Sequence, residues 1–457
     1  MNAEAKTATT HPSPAATLGR GNRYRWGIGG LLAAGAFVNY IDRVNISIAA
    51  TPLSESLHLS PGELGLLLSA YLWTYTVLQL PIGYLIDRIG VPWVMRIAVA
   101  LWTVSSFVTA ISGGLGLLLV SRLLLGIGEA PAWPASWKAM GYWFPARERG
   151  RCISLLDASS RASNVLGLPV MAYVVSVFGW QSAFVLTGVV SLAYTIAFWV
   201  IYRNPAEARR AAKLSAAEHE YILEGGAQQE TSPSESPWSN VSYLLRRRKT
   251  WGLAIGYASY VYVYYLLLSW LPSYLEKSQG MSVLSSGIYS VVPWLVAVIA
   301  ELAIAGWLMD HLIRRGFDPT KTRRAFLVLS MVGALGVAGT VTTHDIVAVM
   351  VYLSIGAAGL AVNAPTGQSI ITLIAPRGSV ASLGGIVNGA ANLLGLTAPI
   401  VTGLVVEATG SFAGAFVIAG IVTAIGILSY VVVLGRIEQI PEPSQSLARP
   451  NRASTVL

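Results

Sequence analysis

Long apolar segments separated by short polar turns make up most of the chain. Between residues 26 and 435 we count twelve of them, each of roughly 20 to 27 residues, which is the length a helix needs to cross a bilayer. The longest polar interruption, residues 203–249, divides them six and six. The pattern therefore predicts an all-α polytopic membrane protein with twelve transmembrane helices. The first apolar segment is too long for the core of a cleaved signal peptide.

Composition supports a membrane protein and narrows its chemistry. The chain is 54% hydrophobic and 12% charged, with a mean hydropathy of +0.58, which is too apolar for a soluble domain of this length. The net charge of +9 arises mainly from short loops, so it indicates lipid headgroups and topology rather than a nucleic-acid partner. Cys152 is the only cysteine. We expect no disulfide, no metal site and no cofactor.

Basic residues concentrate in alternate loops and therefore predict the orientation. By the positive-inside rule, both termini are cytoplasmic and the protein is a multi-pass protein of the inner membrane. In the long connection, Ser215 and Glu218 have the spacing of a capping box and predict a short helix. The predicted organisation is a disordered tail (1–25), a six-helix bundle (26–202), a cytoplasmic linker (203–249), a second bundle (250–435) and a cytoplasmic tail (436–457).

Two short segments of the first half recur in the second half. The pattern Gly-x-x-x-Asp at 83–87 returns at 306–310, an offset of 223 residues. Asn164-Val-Leu-Gly returns as Asn392-Leu-Leu-Gly, an offset of 228 residues. Because the offsets are nearly equal, we predict two parallel six-helix repeats. In that arrangement the substrate site lies near the bilayer midplane between the halves.

Charged residues within the apolar segments are the candidates for chemistry. Each costs at least ~2.5–3.5 kcal/mol at the centre of a bilayer, so they must face protein or water. Six of the seven lie in the first half, which predicts that binding and coupling are unequal between the repeats. The seven residues are Asp42, Arg43, Arg122, Glu129, Asp157, Arg161 and Glu301.

The loop after the second segment carries a recognisable motif. Gly83-x-x-x-Asp87-Arg88-x-Gly90 resembles the signature loop of the major facilitator superfamily. We expect Gly83 to let two helices approach closely and Asp87 to pair with Arg88 or with a neighbouring helix end. The resemblance implies two six-helix bundles that alternate access to a central site.

Three further segments narrow the resemblance. Residues 40–49, 122–131 and 269–275 are similar to the anion:cation symporter family, which includes proton-coupled carriers of galactonate, glucarate and hexuronates. The resemblance implies an organic anion and protons as partners, and we expect a monomer in the lipid bilayer. The chain departs from the family pattern at Asp157, Arg161 and Glu301, where charges replace small or apolar residues, and this leaves the substrate open.

Arg43 is the candidate that binds a substrate carboxylate. Its guanidinium offers a planar fork of donors and stays charged at every stage of transport. The alternative is a permanent structural pair with Asp42 or Glu129. These two acids are the candidate proton carriers, because burial favours a neutral acid whereas a nearby cation favours a carboxylate. Arg122 is expected to link or gate the acids as a partner of Asp42.

Other polar residues are candidates for shaping the pocket. Asp157 and Arg161 stand four residues apart, so they either form a pair along one helix face or leave Arg161 to hold a second anionic group, which would favour a diacid. The residues expected to hydrogen-bond substrate are Tyr75, Ser160, Asn388 and Asn392.

Together these observations predict a proton-coupled symporter that imports an organic carboxylate by alternating access. By resemblance the substrate is a sugar acid such as an aldonate, an aldarate or a hexuronate. The alternatives are a permease for a dicarboxylate or an aromatic carboxylate, and a sodium-coupled or passive anion carrier. A membrane enzyme is disfavoured, because all five histidines lie outside the predicted spans and no His-Glu-x-x-His motif occurs.

Overall fold

A computed structural model describes residues 23–227, 241–376 and 379–441. Within these ranges twelve long helices follow one another, and the predicted all-α class is confirmed. In chain order they are α1 (Tyr24–Ser56), α2 (Pro61–Ile89), α3 (Val91–Ala110), α4 (Leu115–Trp143), α5 (Ala146–Phe178), α6 (Trp180–Ile201), α7 (Arg248–Gln279), α8 (Val283–Arg314), α9 (Pro319–Thr342), α10 (Ile346–Ile374), α11 (Val380–Gly395 continued by Thr397–Thr409) and α12 (Ala413–Leu434).

These helices have the length and composition of membrane spans. Among the described residues, ten are long and apolar enough to cross a bilayer, and α2 makes an eleventh despite a 60° bend before Pro81. Helix α1 is long enough, but Asn39, Asp42, Arg43 and Asn45 interrupt its apolar sequence. All four side chains are buried inside the bundle, at most 7% exposed. Their polarity is thus kept away from lipid.

The packing of the second half repeats that of the first. Helix α1 packs against α5 and α6, just as α7 packs against α11 and α12. Helix α2 likewise packs against α4, as α8 does against α10. The two halves are therefore two copies of one six-helix arrangement, which agrees with the sequence repeat.

The halves meet closely at the end of the bundle that is distant from the termini. There α2 crosses α11, and a Cβ on Gly65 would lie 2.5 Å from the backbone oxygen of Pro399. A Cβ on Gly287 of α8 would similarly lie 2.2 Å from the Cβ of Ala172 in α5. Only glycine allows backbones to approach this closely. Glu407 of α11 adds a polar contact by accepting the backbone N–H of Gly62, with 2.8 Å between the heavy atoms.

The connection between the halves docks on the first half. The predicted short helix is confirmed: Ser215 accepts from the backbone N–H of Glu218 and begins a helix, Ala216–Glu224. The reciprocal bond of a capping box is not formed, because the carboxylate of Glu218 bonds to α1 instead. Glu218 is buried, pairs with Arg25 at 2.9 Å and accepts the backbone N–H of Tyr24 at 3.1 Å. One linker carboxylate therefore caps the start of α1. Of the predicted tails, residues 1–22 and 442–457 lie outside the described ranges.

Candidate functional site

An ion pair buried in the first half lies at the centre of the candidate site. Nε of Arg43 in α1 donates to Oε2 of Glu129 in α4 at 2.8 Å, and the two side chains are 5% and 0% exposed. Of the two partners that the sequence suggested for Arg43, the structure therefore selects Glu129 and not the adjacent Asp42. Neighbouring residues on a helix point about 100° apart, which explains the choice.

Small residues and a proline place Glu129. A Cβ on Gly126 would lie 2.1 Å from the backbone oxygen of Tyr71, and a Cβ on Gly128 would lie 2.8 Å from the backbone nitrogen of Trp102. Both glycines therefore let α4 lie directly against α2 and α3. Helix α4 then breaks at Pro131, which lacks a backbone N–H, so that Glu129 ends the first segment of the helix.

Three tyrosine rings surround the guanidinium of Arg43. The Cζ atom of Arg43 is 5.1 Å from the ring centroid of Tyr40, 5.4 Å from that of Tyr71 and 5.0 Å from that of Tyr75. Aromatic faces attract a cation, most strongly where water is excluded. They hold the guanidinium in place without using up its N–H donors. Tyr75 was predicted to lie in the pocket, whereas Tyr40 and Tyr71 were not singled out.

The ion pair does not satisfy all of its own polar atoms. Nη2 of Arg43 and Oε1 of Glu129 are buried and have no hydrogen-bond partner among the described residues. The hydroxyl of Tyr71 is in the same situation. Unpaired buried polar groups are costly, and in native proteins they frequently mark functional sites. This arrangement can receive a ligand that brings both an acceptor and a donor.

Asp42 occupies a separate, hydroxyl-lined position. Its two carboxylate oxygens accept from Ser106 of α3 and Ser191 of α6, each at 3.2 Å, and its side chain is 3% exposed. Arg122 is close enough to interact electrostatically with Asp42, but forms no ion pair with it within 4.0 Å. The guanidinium of Arg122 instead lies 5.2 Å from the ring of Phe184. Whether Arg122 links or gates the acids stays a prediction.

Arg161 has a partner that the sequence did not indicate. Its Nη2 donates to Oε1 of Glu301 at 2.6 Å, and its Nη1 lies 2.5 Å from Oε2, although Oε2 accepts no hydrogen bond among the described residues. It joins α5 of one half to α8 of the other. Asp157 forms no ion pair with Arg161 within 4.0 Å in the described part of the chain. Neither sequence alternative, a pair with Asp157 or a free arginine, is therefore what this conformation shows.

Glu301 also marks an irregularity in its helix. The α-helical part of α8 ends at Ala300, and Glu301–Leu308 is a π-helix. Such wide turns are rare and occur frequently at functional sites. As an acid in an otherwise apolar span, Glu301 was among the seven charged candidates of the sequence analysis, which assigned it no role.

The remaining predicted pocket residues are distributed over several surfaces. Ser160 donates to the backbone oxygen of Asp157 at 2.8 Å, within its own helix. Asn392 accepts from the hydroxyl of Tyr265 at 3.4 Å, and Asn388 is exposed. Tyr264, which the sequence analysis did not select, lies close enough to interact electrostatically with both Arg43 and Arg161.

The signature loop differs in detail from its expected packing. Asp87 pairs with Lys138 of α4, whereas Arg88 is exposed. The expectation that Gly83 brings two helices together is wrong for this conformation, because a Cβ there would meet nothing within 4 Å. Gly90 separates α2 from α3 with a φ of 91°, a value that favours glycine.

Two observations limit where a ligand could bind. A cavity of about 880 Å³ lies between α8, α9 and α10, but its lining is almost wholly apolar and contains none of the ionisable span residues. It offers an anion no cationic partner. In the described ranges no group of three or more His, Cys, Asp or Glu side chains is arranged to hold a metal ion.

Comparison with known proteins assigns the family. The model of the "Major Facilitator Superfamily" matches residues 32–357 and 320–457. The chain belongs to this superfamily. The two six-helix repeats and the signature loop agree with that membership.

The relatives of this superfamily member are named as transporters. "Uncharacterized transporter YybO" of Bacillus subtilis (strain 168) is 39% identical over 420 residues, which cover 91% of this chain and 95% of YybO. "Probable L-galactonate transporter" of Escherichia coli (strain K12) is 31% identical, with 88% and 87% covered. "Probable galactarate/D-glucarate transporter GudP" of Bacillus subtilis (strain 168) is 30% identical, with 94% and 97% covered.

A solved structure agrees with the fold. The structure described as "Crystal structure of D-xylose-proton symporter" superposes with a TM-score of 0.71 and covers 91% of this chain and 99% of its own, at 15% sequence identity. At that identity the likeness concerns the fold alone. The twelve-helix, two-repeat architecture is thus confirmed for this transporter of the superfamily.

Proposed function

We propose that this protein is a proton-coupled symporter that imports an organic carboxylate, most simply a sugar acid, across the cytoplasmic membrane. Relatives named for L-galactonate and for galactarate or D-glucarate support the choice of a sugar acid. The single observation that carries the proposal is the buried Arg43–Glu129 pair with its unpartnered atoms.

Arg43 supplies the anion-binding group. Because Nε is engaged by Glu129 while Nη2 has no partner, a substrate carboxylate can first bind Nη2 and then displace Glu129 to form a two-point contact. The rings of Tyr40, Tyr71 and Tyr75 keep the guanidinium in position during this exchange. Substrate hydroxyls then face the unpartnered hydroxyl of Tyr71.

Coupling follows from competition for the same cation. When the substrate takes Arg43, the carboxylate of Glu129 loses its ion-pair partner in a site from which water is largely excluded. A buried, unpaired carboxylate is unfavourable, so Glu129 takes up a proton. Release of the substrate restores the ion pair and expels the proton. Substrate and proton therefore cross together.

Asp42 is the second proton-binding group in this proposal. It accepts hydrogen bonds from two serines and has no ion-pair partner within 4.0 Å among the described residues. Arg122 lies within electrostatic range of both Asp42 and Glu129, so it transmits a change of charge at one acid to the other. This is the linking role expected for Arg122.

The orientation rests on the basic loops. Arg88, Lys138 and Arg151 lie near helix ends on the same side of the bundle as the start of α1. By the positive-inside rule that end is cytoplasmic. The close contacts between the halves then lie on the outer side, and the proposed unit of transport is the monomer.

Uptake into proteoliposomes tests the proposal. Radiolabelled galactonate and D-glucarate are offered outside vesicles that contain only this protein, with an inward proton gradient. We expect Arg43→Gln to abolish accumulation, whereas Arg209→Gln, at an arginine in the linker, leaves it unchanged. We expect Glu129→Gln to keep exchange of labelled for unlabelled substrate while losing accumulation. Normal accumulation by Arg43→Gln contradicts the proposal.

The coupling ion is tested in the same vesicles. Dissipating the proton gradient with a protonophore is expected to end accumulation in the presence and in the absence of sodium. Accumulation that survives the protonophore but requires a sodium gradient would replace protons by sodium. Equilibration without accumulation under every gradient would identify a passive carrier.

A further inference from the structure

The ion pair of Arg161 with Glu301 places a resident carboxylate where a substrate carboxylate could bind. Nη2 donates to Oε1 at 2.6 Å, and Nη1 lies 2.5 Å from Oε2, which is buried and accepts no hydrogen bond among the described residues. The side chains are 32% and 16% exposed, far more than the 5% and 0% of Arg43 and Glu129. Arg161 is therefore the more accessible of these two paired arginines, and its resident acid belongs to the other half of the protein.

Aromatic side chains connect Arg161 with Arg43. Tyr40 of α1 lies 5.1 Å from Arg43 and also within electrostatic range of Arg161. Tyr264 of α7 lies within range of both guanidinium groups and of Glu301. Because the same two tyrosines lie within electrostatic range of both arginines, the arginines face a common region between the halves.

The separation of the two arginines can be read from the packing of α1 and α5. These helices run parallel, and a Cβ on Gly167 of α5 would lie 3.1 Å from Ile41 of α1, so these two residues are level. Arg43 lies two residues beyond Ile41, and Arg161 lies six residues before Gly167. Eight helical residues correspond to about 12 Å along the axis. Both side chains lean toward the helix N-termini, so they keep this offset.

A substrate of one length fits this spacing. Measured along the helix axis, one hydrogen bond of about 2.8 Å at each end leaves about 6 Å of this offset for the substrate to span. A six-carbon chain that carries a carboxylate at each end has about this separation, given carbon–carbon bonds of about 1.5 Å. A six-carbon acid with one carboxylate would place a hydroxyl against Arg161 and leave Glu301 in place.

We propose that Arg161 is a second carboxylate subsite, occupied by Glu301 when substrate is absent, and that this carrier selects six-carbon diacids over the matching monoacids. The proposal rests on the proposed function, in which Arg43 binds the first carboxylate. The second carboxylate of the substrate displaces Glu301, whose side chain is partly exposed and can turn away. Because the displaced contact joins α5 to α8, a bound diacid replaces a link between the halves.

Galactarate and D-galactonate form a matched pair of probes, because they differ only in the carboxylate or CH₂OH group at carbon 6. Initial uptake of each is measured in proteoliposomes. The charge-assisted contact predicts that Arg161→Gln raises the KM for galactarate about ten- to hundredfold. The KM for galactonate is expected to change less than about twofold, since an uncharged hydroxyl contact contributes little.

Two further variants test the role of Glu301 and guard against misfolding. Glu301→Gln keeps the size of the side chain but removes its charge, so it is expected to lower the KM for galactarate. The double variant Arg161→Gln/Glu301→Gln is neutral and is expected to fold, yet to lose the preference for galactarate. Ser154→Ala, at an exposed residue two turns away on α5, serves as the control and is expected to keep the preference.

The outcomes separate this proposal from the proposed function. The diacid subsite is overturned if Arg161→Gln or the double variant transports both acids with an unchanged ratio of the KM for galactonate to the KM for galactarate. That outcome leaves Arg43 as a binding residue. Normal transport of both acids by Arg43→Gln overturns the proposed function instead. A wild-type protein that binds none of galactarate, D-glucarate and adipate in a thermal-shift assay also overturns the diacid subsite.

Discussion

The contact between Glu407 and the start of α2 offers a direct test of how the end of the bundle distant from the termini, which we propose is the outer side, is held closed. Its carboxylate accepts the backbone N–H of Gly62 at 2.8 Å and the hydroxyl of Ser60 at 3.2 Å. It therefore caps a helix of the opposite half, and this contact must break when the outer side opens. Glu63 caps the same helix end from within its own half, by accepting the backbone N–H of Ser60 at 2.8 Å. The contact of Glu63 persists in both conformations.

The loss of the Glu407 contact can be given a size. Removing a capping side chain costs about 1 kcal/mol, and Glu407 is exposed, so no larger electrostatic contribution is expected. Glu407→Ala should therefore raise the ratio of outward-open to outward-closed protein about fivefold. Glu63→Ala loses a similar amount in both conformations and should leave the ratio unchanged, although it lowers the melting temperature.

Spin-label distances report this ratio. Labels are attached to cysteines that replace Glu55 and His344, two exposed residues at the outer ends of the two halves, after Cys152→Ser has removed the native thiol. We expect the long-distance population to grow in Glu407→Ala and not in Glu63→Ala. Equal distance distributions for the two variants would refute the assignment of Glu407 as a contact that holds the outer side closed.

Three further predictions concern packing and stability. Gly126→Ala should destabilise the protein by about 1–3 kcal/mol and abolish uptake, because its Cβ would lie 2.1 Å from a backbone oxygen, whereas Gly116→Ala, with nothing within 4 Å, should leave melting temperature and uptake unchanged. Glu218→Gln should lower the melting temperature and leave the KM unchanged, because it weakens the ion pair with Arg25 and the cap at the start of α1, neither of which is near the candidate site. Asn363→Ala should do the same, because this amide is buried in the second half and bonds within that half; a raised KM would show that it contacts substrate.

The fold could be predicted from the sequence because the bilayer permits few alternatives. A span must satisfy its backbone hydrogen bonds internally, so apolar length and polar interruptions fix the number of helices. The division into two halves could also be predicted, because the Gly-x-x-x-Asp pattern at 83–87 recurs at 306–310. Helix α1 was predicted despite its polar residues, because Asp42 and Arg43 can lie at bilayer depth where protein surrounds them. Both side chains are buried in the structure.

The pairing of charges could not be predicted in the same way. Local spacing suggests Asp157 for Arg161, yet the partner is Glu301, which is 140 residues away. Asp87 similarly pairs with Lys138 rather than with the adjacent Arg88. A span sequence shows that a charge needs a partner, but only the packing of helices decides which acid comes within reach. Of the three tyrosines around Arg43, Tyr40 and Tyr71 were not predicted for the same reason, whereas Tyr75 was.

The net charge of the ionisable residues in the spans predicts how many protons bind together with an anion. The seven charged residues of the spans are three arginines and four acids. The arginines are Arg43, Arg122 and Arg161, and the acids are Asp42, Glu129, Asp157 and Glu301. With every group ionised the site carries one net negative charge, and an incoming anion adds at least one more. A buried excess of negative charge is unfavourable, so the proposed function predicts that anion binding is accompanied by protonation of resident acids. A diacid that occupies both Arg43 and Arg161 releases two carboxylates, Glu129 and Glu301, and so predicts two protons per substrate. Replacing either acid by glutamine should reduce the number of protons that enter with each galactarate, as measured by a pH-sensitive dye trapped inside the vesicles, and an unchanged number in both variants would contradict this charge balance.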